Sequence, residues 1–435
     1  FAKLYIRPMA CELRGIVARC CGVWNKSMSG SIKKATLVRR HSTEESDIPE
    51  KKSKCRDIAE DLISESNLED SKGIEKLRKR KLALLMSYCG AGYYGMQRNH
   101  GFDTIEDRLL KALHTSGAIP EEGINRPLAV NFQRAARTDK GVSAARQIVN
   151  IRASMIENFT ETVNNYLPQE IRVISWKRVT QGFNCKTKCD ARTYSYMIPT
   201  FAFAPVDSLT NINFRMDERT LEEVNSLLKM FTGTHNFHNF TAGKKSNDAS
   251  ACRYIMEFKC GQPFIREEIE FAVITVKGQS FMLHQIRKMI GATVAIMRGL
   301  ATSDLLTKAW GSERVDIPIA PGVGLVLEHV HYDYYNKRYG SDGIHEPLTW
   351  EEEEDAIQRF KETYIEPHII KAEKNSLSML TWLSSLVLHT YDVREDSVPS
   401  SVSRINSDLG KAYLNIISAE QEKDHKEKEE NSVIE

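Results

Sequence analysis

The sequence predicts an α+β fold, because strand-like and helix-like patterns alternate in two similar runs along the chain. The first run begins with a short apolar stretch at 82–88, typical of a buried strand. The second ends with an amphipathic helix at 281–298, whose apolar residues recur on one stripe, followed by a closing strand at 325–330. Each run reads strand, helix, strand, strand, helix, strand, which predicts a pseudo-duplicated core.

The elements of the first run follow from local signals. Thr104-Ile105-Glu106-Asp107 resembles a capping box and predicts a helix to about Thr115. The predicted elements are a buried strand at 82–88, this helix, a short apolar strand-like segment at 128–130, a half-buried alternating strand at 147–152, a helix at 155–167 and a strand at 171–176.

The second run repeats the alternation. Thr220-Leu221-Glu222-Glu223 predicts a capped helix that ends near Phe231. The predicted elements are strands at 192–198, 253–259, 268–276 and 325–330, with helices at 220–231 and 281–298.

The regions that flank the core differ from it in composition. Residues 1–40 hold a single acid, Glu12, among many basic and hydroxyl side chains, which is typical of an organelle transit peptide; a basic RNA-contacting arm or nuclear signal is the alternative. We therefore expect a mitochondrial location, a nuclear location, or both. The predicted organisation is a disordered basic segment 1–41, a charged linker 42–80, an N-terminal half 81–185, a C-terminal half 186–338, a helical extension 339–392 and a charged disordered tail 393–435.

Composition excludes several classes of protein. Hydrophobic residues make up 41% of the chain and charged residues 27%, as in ordinary globular proteins. No apolar run approaches the roughly 20 residues that span a bilayer, so we expect no membrane segment. The nine cysteines are scattered and odd in number, which indicates reduced thiols and no disulfide framework. A net charge of +2 indicates no particular partner.

Residues 134–143 form the most distinctive stretch of the core. Asp139 lies between Arg137 and Lys140 and runs into Gly141, and neighbouring cations favour the ionised form of a carboxylate. Strand-like segments flank it, so we expect Asp139 on a loop, where functional residues concentrate. An ionised carboxylate can act as a nucleophile, a base or an ion-pair partner. The alternative is an ordinary surface turn with an Asp139–Arg137 salt bridge.

Two other patterns have weaker functional interpretations. The glycines of 89–97 fit neither a GxGxxG nor a Walker phosphate loop. Cys185 and Cys189 with His235 and His238 could form a Cys2His2 zinc site, but their spacing is loose and the pairs fall on separate elements. We therefore predict no metal site.

Five motifs stand in order over roughly residues 80–335: Tyr88 to Gln97, Arg137 to Ala144, Asp190 to Tyr196, Gly233 to Phe240 and Gly278 to Met289. Together they resemble the tRNA pseudouridine synthase I (TruA) family. Residues 97–99 and the run 284–289 resemble the eukaryotic branch of the family. Met96 departs from the bacterial pattern, which has Trp at this position.

The resemblance implies a pseudouridine synthase fold: two RRM-like (ferredoxin-like) halves form a mixed, largely antiparallel sheet around a central basic cleft. It implies isomerisation of uridine to pseudouridine in tRNA without a cofactor. Asp139 corresponds to the nucleophile, and Arg137 to the cation that orients it and helps to displace the target base. Tyr194 corresponds to the aromatic residue that stacks on uracil and acts as a late base, and Arg287 to a second ion-pair partner of Asp139.

An enzyme of this kind must flip its target base out of a structured RNA and grip the phosphates. The partners implied are tRNA, with mRNA and other structured RNA as further candidates. Bacterial relatives are dimers and the extension could cover that surface, so monomer and homodimer both stay open. The rival hypotheses are a non-catalytic RNA-binding or folding module and a scaffold that works through its tails. The candidate RNA-binding residues are Lys81, Arg98, Lys140, Arg146, Lys244, Lys245, His284, Lys288 and Arg298.

Overall fold

The computed structural model describes residues 78–207 and 210–393. The predicted basic segment 1–41, nearly all of the linker 42–80 and nearly all of the tail 393–435 lie outside the described residues. The linker prediction overran by two residues, because Lys79 and Arg80 already belong to the first strand.

One large sheet organises the described chain, and all but one of its strand pairs are antiparallel. Its strands follow the order β4-β1-β3-β10-β5-β9-β7-β6, while β2 pairs with β3 and β8 with β9. The parallel pair, β3 with β10, lies at the centre and joins the strands of the two runs. The strands are β1 (Lys79–Tyr88), β2 (Gln133–Arg134), β3 (Ser143–Ser154), β4 (Ile171–Arg178), β5 (Ala191–Pro199), β6 (Gly233–Asn236), β7 (Cys252–Cys260), β8 (Phe264–Arg266), β9 (Ile269–Gly278) and β10 (Leu325–His331).

The predicted α+β class and the major strands are confirmed, but the burial of β3 was predicted incorrectly. Gln147 and Asn150, which alternation assigned to a half-buried strand, are 0% and 2% exposed. Both amides are hydrogen-bonded to backbone groups of neighbouring segments, which lets a central strand bury polar side chains.

Helices cover the sheet and extend beyond it. In the described part of the chain no helix is long and apolar enough to cross a membrane. The helices are α1 (Ile105–Thr115), α2 (Glu122–Asn125), α3 (Phe159–Asn164), α4 (Glu218–Lys229), α5 (Gln285–Met297), α6 (Asp304–Trp310), α7 (Asp333–Tyr339), α8 (Glu354–Phe360), α9 (Glu366–Ser376) and α10 (Ser378–Ser385).

Helix boundaries follow capping chemistry more closely than apolar periodicity. The predicted Thr104 cap is confirmed, since its hydroxyl accepts a hydrogen bond from the Asp107 amide. In α4 the cap is Asp217 and not Thr220. Helix α3 is shorter than the predicted 155–167. Helix α5 begins four residues after Phe281, because His284 has a left-handed φ of 60°.

The C-terminal helices share the core of the sheet. After α7 the chain forms α8 and α9, which are joined by one π-helical turn, Lys361–Ile365. Helix α10 follows α9. Trp350, Ile357 and Ile369 are at most 2% exposed within this segment. On the sheet side, Arg146 of β3 contacts Glu354 of α8 at 2.5 Å. The extension therefore contributes to the same packed unit as the sheet.

Candidate active site

Asp139 lies on the loop that joins β2 to β3, as the sequence predicted. The start of this loop is held by Gln147 of β3. Its amide nitrogen donates to the Ala136 carbonyl at 2.9 Å, and its amide oxygen accepts from the Ala136 nitrogen at 3.2 Å. This two-way bond fixes the loop to a buried strand, so the carboxylate is presented from a rigid support.

The glycine-rich turn after β1 cradles the same loop. The Met96 amide donates to the Thr138 carbonyl at 3.2 Å, and the Gly141 amide donates to the Tyr93 carbonyl at 3.2 Å. At Gly95, where φ is +91°, a Cβ atom would lie 2.5 Å from the Thr138 oxygen. The turn therefore requires glycine for close backbone approach, and it supports Asp139 from both sides.

Two side chains from the start of α5 converge on the Asp139 carboxylate. Arg287 Nη1 lies 3.4 Å from Asp139 Oδ2, and His284 Nε2 lies 3.5 Å from the same oxygen. Arg287 is itself held by a 2.7 Å bond from Nε to the Ala320 carbonyl. The predicted pairing of Arg287 with Asp139 is thus present, and His284, predicted to bind RNA, instead lies against the carboxylate.

The environment of His284 favours the neutral imidazole. Burial lowers the pKa of His284, and the nearby Arg287 and Lys288 lower it further, while Asp139 opposes this shift. A neutral His284 can orient the carboxylate by hydrogen bonding without adding a second full charge.

Tyr194 of β5 forms an aromatic wall with Phe281. The two rings meet edge to face with centroids 5.3 Å apart, and Tyr194 is 6% exposed. Burial raises the pKa of Tyr194 well above its usual value, and Asp139 contributes to the rise. The phenol is therefore protonated at neutral pH, which favours the stacking role and gives no support to the implied role as a base.

Arg137 does not contact Asp139 in this arrangement. Its side chain is exposed and forms no ion pair with any described residue. The orienting contact that the resemblance implied for Arg137 is made by Arg287, because Arg287 comes from the helix that faces the loop.

Met96 is fully buried, so it has no free surface for stacking.

A cleft of about 730 Å³ opens above Asp139. Both halves of the sheet supply its walls, and most of its charged lining side chains are basic. Four of the basic lining residues were not predicted as site residues, although one of them, Arg192, lies inside the Asp190–Tyr196 motif; the four are Arg134, Lys186, Arg192 and Arg253. The lining includes Glu106, Arg134, Arg137, Asp139, Lys186, Arg192, Tyr194, Arg253, Phe281, His284 and Arg287.

Arg192 connects the loop that carries Asp139 to the second half of the sheet. Its Nη2 donates to the Ala135 carbonyl at 2.7 Å, and its Nη1 donates to the Gln279 carbonyl at 3.1 Å. The position of Arg192 inside a family motif could have indicated that it belongs to the site. Its contact with Ala135 could not be predicted from sequence spacing, because the two residues are 57 positions apart in the chain.

Six of the predicted RNA-binding cations have structural partners instead, and Lys81, Arg98, Arg146 and Arg298 are four of these. Lys81 is 8% exposed and its Nζ donates to the Gln181 carbonyl at 2.9 Å. Arg98 pairs with Asp107 at 2.5 Å. Arg146 pairs with Glu354, and Arg298 is 6% exposed and donates to the Ala204 carbonyl at 2.9 Å. Except for Arg98 and Asp107, which are 9 residues apart, these pairs join residues at least 94 positions apart, and a single sequence does not reveal such contacts.

The remaining predicted cations occupy other positions. Lys140 is exposed, and its Nζ lies 4.2 Å from the centre of the Tyr94 ring. Lys244 pairs with Asp248 at 2.9 Å, and Lys288 Nζ donates to the Asn239 carbonyl at 3.0 Å. Lys245 is exposed.

Two of the four side chains considered for zinc have other contacts. The Cys185 thiol is buried and donates to the Gln133 carbonyl, and the His235 ring stacks on Trp310 with centroids 4.6 Å apart. Within residues 78–207 and 210–393, no group of three or more His, Cys, Asp or Glu side chains is arranged to hold a metal ion.

The fold and site together place one carboxylate, Asp139, beside basic and aromatic side chains in a cleft of a mixed α+β protein. Residues 227–333 match the family model described as tRNA pseudouridine synthase. Among curated proteins, the chain is 53% identical over 327 residues to the pseudouridylate synthase 1 homolog of Mus musculus, covering 74% of this chain and 77% of that protein. It is 30% identical over 440 residues to tRNA pseudouridine synthase 1 of Yarrowia lipolytica, covering 81% and 82%. The chain belongs to the tRNA pseudouridine synthase family, in its eukaryotic pseudouridine synthase 1 branch.

Proposed function

We propose that this chain is a tRNA pseudouridine synthase that isomerises uridine to pseudouridine. The observation that carries the proposal is the Asp139 carboxylate, contacted by Arg287 and His284 beside the Tyr194–Phe281 wall. The reaction breaks the bond between C1′ and N1, rotates the uracil and forms a bond from C1′ to C5. The C5 proton is lost and N1 gains a proton, so the product is an isomer and the balance needs no cofactor.

Each residue of the site has a distinct proposed role. Asp139 acts at the sugar, either by attack on C1′ or by stabilising positive charge there as the glycosidic bond breaks. Arg287 and His284 orient the carboxylate. Tyr194, as a neutral phenol, stacks on the uracil while it rotates. Arg137, exposed at the cleft, is free to enter the position that the target base vacates.

We further propose that the cleft is basic and that its walls are two RRM-like halves. The strand orders β4-β1-β3-β2 and β10-β5-β9-β7 support the second point, because each is the fourth-first-third-second order of a ferredoxin-like unit. Arg137, Lys186 and Arg253 support the first, since none has a carboxylate within ion-pair distance among the described residues. When such cations neutralise RNA phosphates, the counterions bound to those phosphates are released, which favours binding.

The buried position of the site implies base flipping. Tyr194 is almost inaccessible, so a uridine must leave its stack to reach it. Messenger and other structured RNAs are proposed as further substrates, because an enzyme of this kind recognises RNA shape and phosphates more than base sequence.

We propose a mitochondrial location, a nuclear location, or both, from the basic composition of residues 1–40. Monomer and homodimer remain the candidate oligomeric states, and sedimentation of the full chain separates them.

A tritium-release assay tests the proposed reaction. Unmodified tRNA carrying uridine labelled with tritium at C5 must release one tritium for each pseudouridine formed, because the new bond replaces the C5–H bond. We expect release in proportion to pseudouridine measured by mass spectrometry. Tight tRNA binding without release would instead favour the non-catalytic RNA-binding module.

A further inference from the structure

Two exposed aromatic side chains lie side by side next to the catalytic loop. The rings of Tyr94 and Phe102 have centroids 4.5 Å apart, and the residues are 44% and 43% exposed. Lys140, which directly follows Asp139, places its Nζ 4.2 Å from the centre of the Tyr94 ring. We call Tyr94, Phe102 and Lys140 the aromatic platform.

The platform is fixed to the active site and is not a mobile surface feature. The backbone on either side of Asp139 is hydrogen-bonded to the turn that carries Tyr94, through Met96 and Thr138 and through Gly141 and Tyr93. The Tyr94 amide also donates to the Asp103 carbonyl at 2.9 Å, which holds the segment with Phe102 against the turn. An object bound on the platform would therefore lie at a constant position relative to Asp139.

The local charge favours an anionic partner. Asp103, the acid beside Phe102, is paired with Arg108 through an Nε contact of 2.9 Å. Lys140 has no carboxylate within ion-pair distance in the described part of the chain. The platform thus combines two partly exposed aromatic rings with a lysine that has no carboxylate partner in the described part of the chain.

We propose that the aromatic platform binds an unpaired nucleotide of the substrate RNA, close to the uridine that enters the cleft. Aromatic rings stack on any base, while a neighbouring cation meets the phosphate. A base in a continuous duplex is already stacked on both faces, so the platform selects RNA in which a nucleotide near the target is unpaired. This inference rests on the proposed function and adds a determinant of substrate choice.

The test measures RNA affinity in an Asp139→Asn background, so that turnover plays no part. Tyr94→Leu and Phe102→Leu remove an aromatic face, and Phe102→Tyr retains one. Tyr334→Leu is the matched control, since Tyr334 lies on α7 and is 65% exposed. The ligands are unmodified tRNA and a hairpin in which the nucleotides around the target are all paired. Thermal unfolding of each variant identifies any that fail to fold.

We expect each leucine variant to bind the tRNA roughly 5- to 150-fold more weakly, the range for loss of one stacked base. Affinity for the paired hairpin, and the affinities of Phe102→Tyr and Tyr334→Leu, should stay near the parent value. Equal weakening on both RNAs, or no weakening on tRNA by either leucine variant, would overturn the proposal. The platform test measures binding alone, whereas the proposed function is tested by product formation. If the wild-type protein formed no pseudouridine, the proposed function would be refuted, but the binding result for the platform would still stand.

Discussion

Among the described residues, Arg287 makes the shortest ion-pair contact with the Asp139 carboxylate. Arg287 meets Asp139 at 3.4 Å through Nη1 while its Nε donates to the Ala320 carbonyl at 2.7 Å. A lysine has one nitrogen and cannot reproduce both contacts. The guanidinium therefore connects the Asp139 carboxylate to the Ala320 backbone and fixes its position in the cleft.

Arg287→Lys should lower kcat about 100-fold, the lower end of the range for loss of one positioned donor, because the lysine keeps the positive charge but not both contacts. The KM for tRNA should change little, since the phosphate contacts proposed for the cleft involve other residues. Steady-state kinetics on unmodified tRNA separate the two parameters. A rise in KM alone would mean that Arg287 binds RNA and does not orient Asp139.

At the scale of single elements, the glycine turn after β1 determines where the catalytic loop lies. A Cβ atom at Gly95 would collide with the Thr138 carbonyl, whereas at Gly117, with φ +81°, nothing lies within 4 Å. Both glycines have left-handed backbones, so alanine adds about 1–2 kcal/mol of strain at either position. Only the Gly95 substitution must also displace the loop.

Gly95→Ala should therefore slow product formation on the order of 100-fold relative to Gly117→Ala, since small misplacements of a reacting group cost about that much. Single-turnover rates with excess enzyme report the chemical step, and thermal unfolding monitors the shared strain. Equal rates for the two variants would show that the loop position does not depend on the turn.

Helix α9 in the C-terminal extension contains a buried carboxyl group. Glu373 is 4% exposed and accepts a 2.9 Å hydrogen bond from the Met379 amide. Burial raises the pKa of Glu373 to about 7 from an ordinary value of 4.5. The folded state therefore binds this proton more tightly than the unfolded state. Its contribution to stability is fully present below pH 4.5 and is lost as the pH rises through about 7.

Relative to wild type, Glu373→Gln should gain stability as the pH rises from about 4.5 to above 7, by at most about 3 kcal/mol. Glutamine keeps an acceptor for the Met379 amide but cannot ionise. Denaturant unfolding across this pH range measures the difference, and Glu352→Gln, at an exposed position, is the control. A constant difference across the range would contradict the assigned pKa.

Comparison of the predicted and observed cations shows what a single sequence could and could not predict. Asp139 and the main strands have local signatures in the sequence, whereas Tyr194 and Arg287 could be selected only because their motifs resemble those of the family. Lys81 and Arg298 could not be distinguished from cleft cations, because their burial depends on carbonyl partners about 90 to 100 residues away in the chain. Arg253 could not be predicted as a cleft residue either, because its side chain reaches the cleft from β7, a strand that carries no motif.

At the scale of the whole molecule, the distinction between cleft and structural cations predicts different salt responses. Arg253→Met should reduce the slope of log affinity against log salt by about one, because one phosphate contact is lost. Arg298→Met, which removes a buried cation outside the cleft, should leave the slope unchanged. Filter binding of tRNA over a range of salt concentrations measures both slopes. Identical slopes for the two variants would contradict the proposed path of the RNA.

The central claim concerns the Asp139 carboxylate and is tested by comparing wild-type protein with Asp139→Asn on unmodified tRNA. Asparagine keeps the size of the side chain and removes its negative charge. The two quantities to measure are pseudouridine formed and tRNA affinity. We expect product from wild type alone, with affinity retained by both proteins, because the proposed phosphate contacts do not include this carboxylate. Pseudouridine formed at comparable rates by both proteins would contradict the assignment of Asp139 as the reacting group.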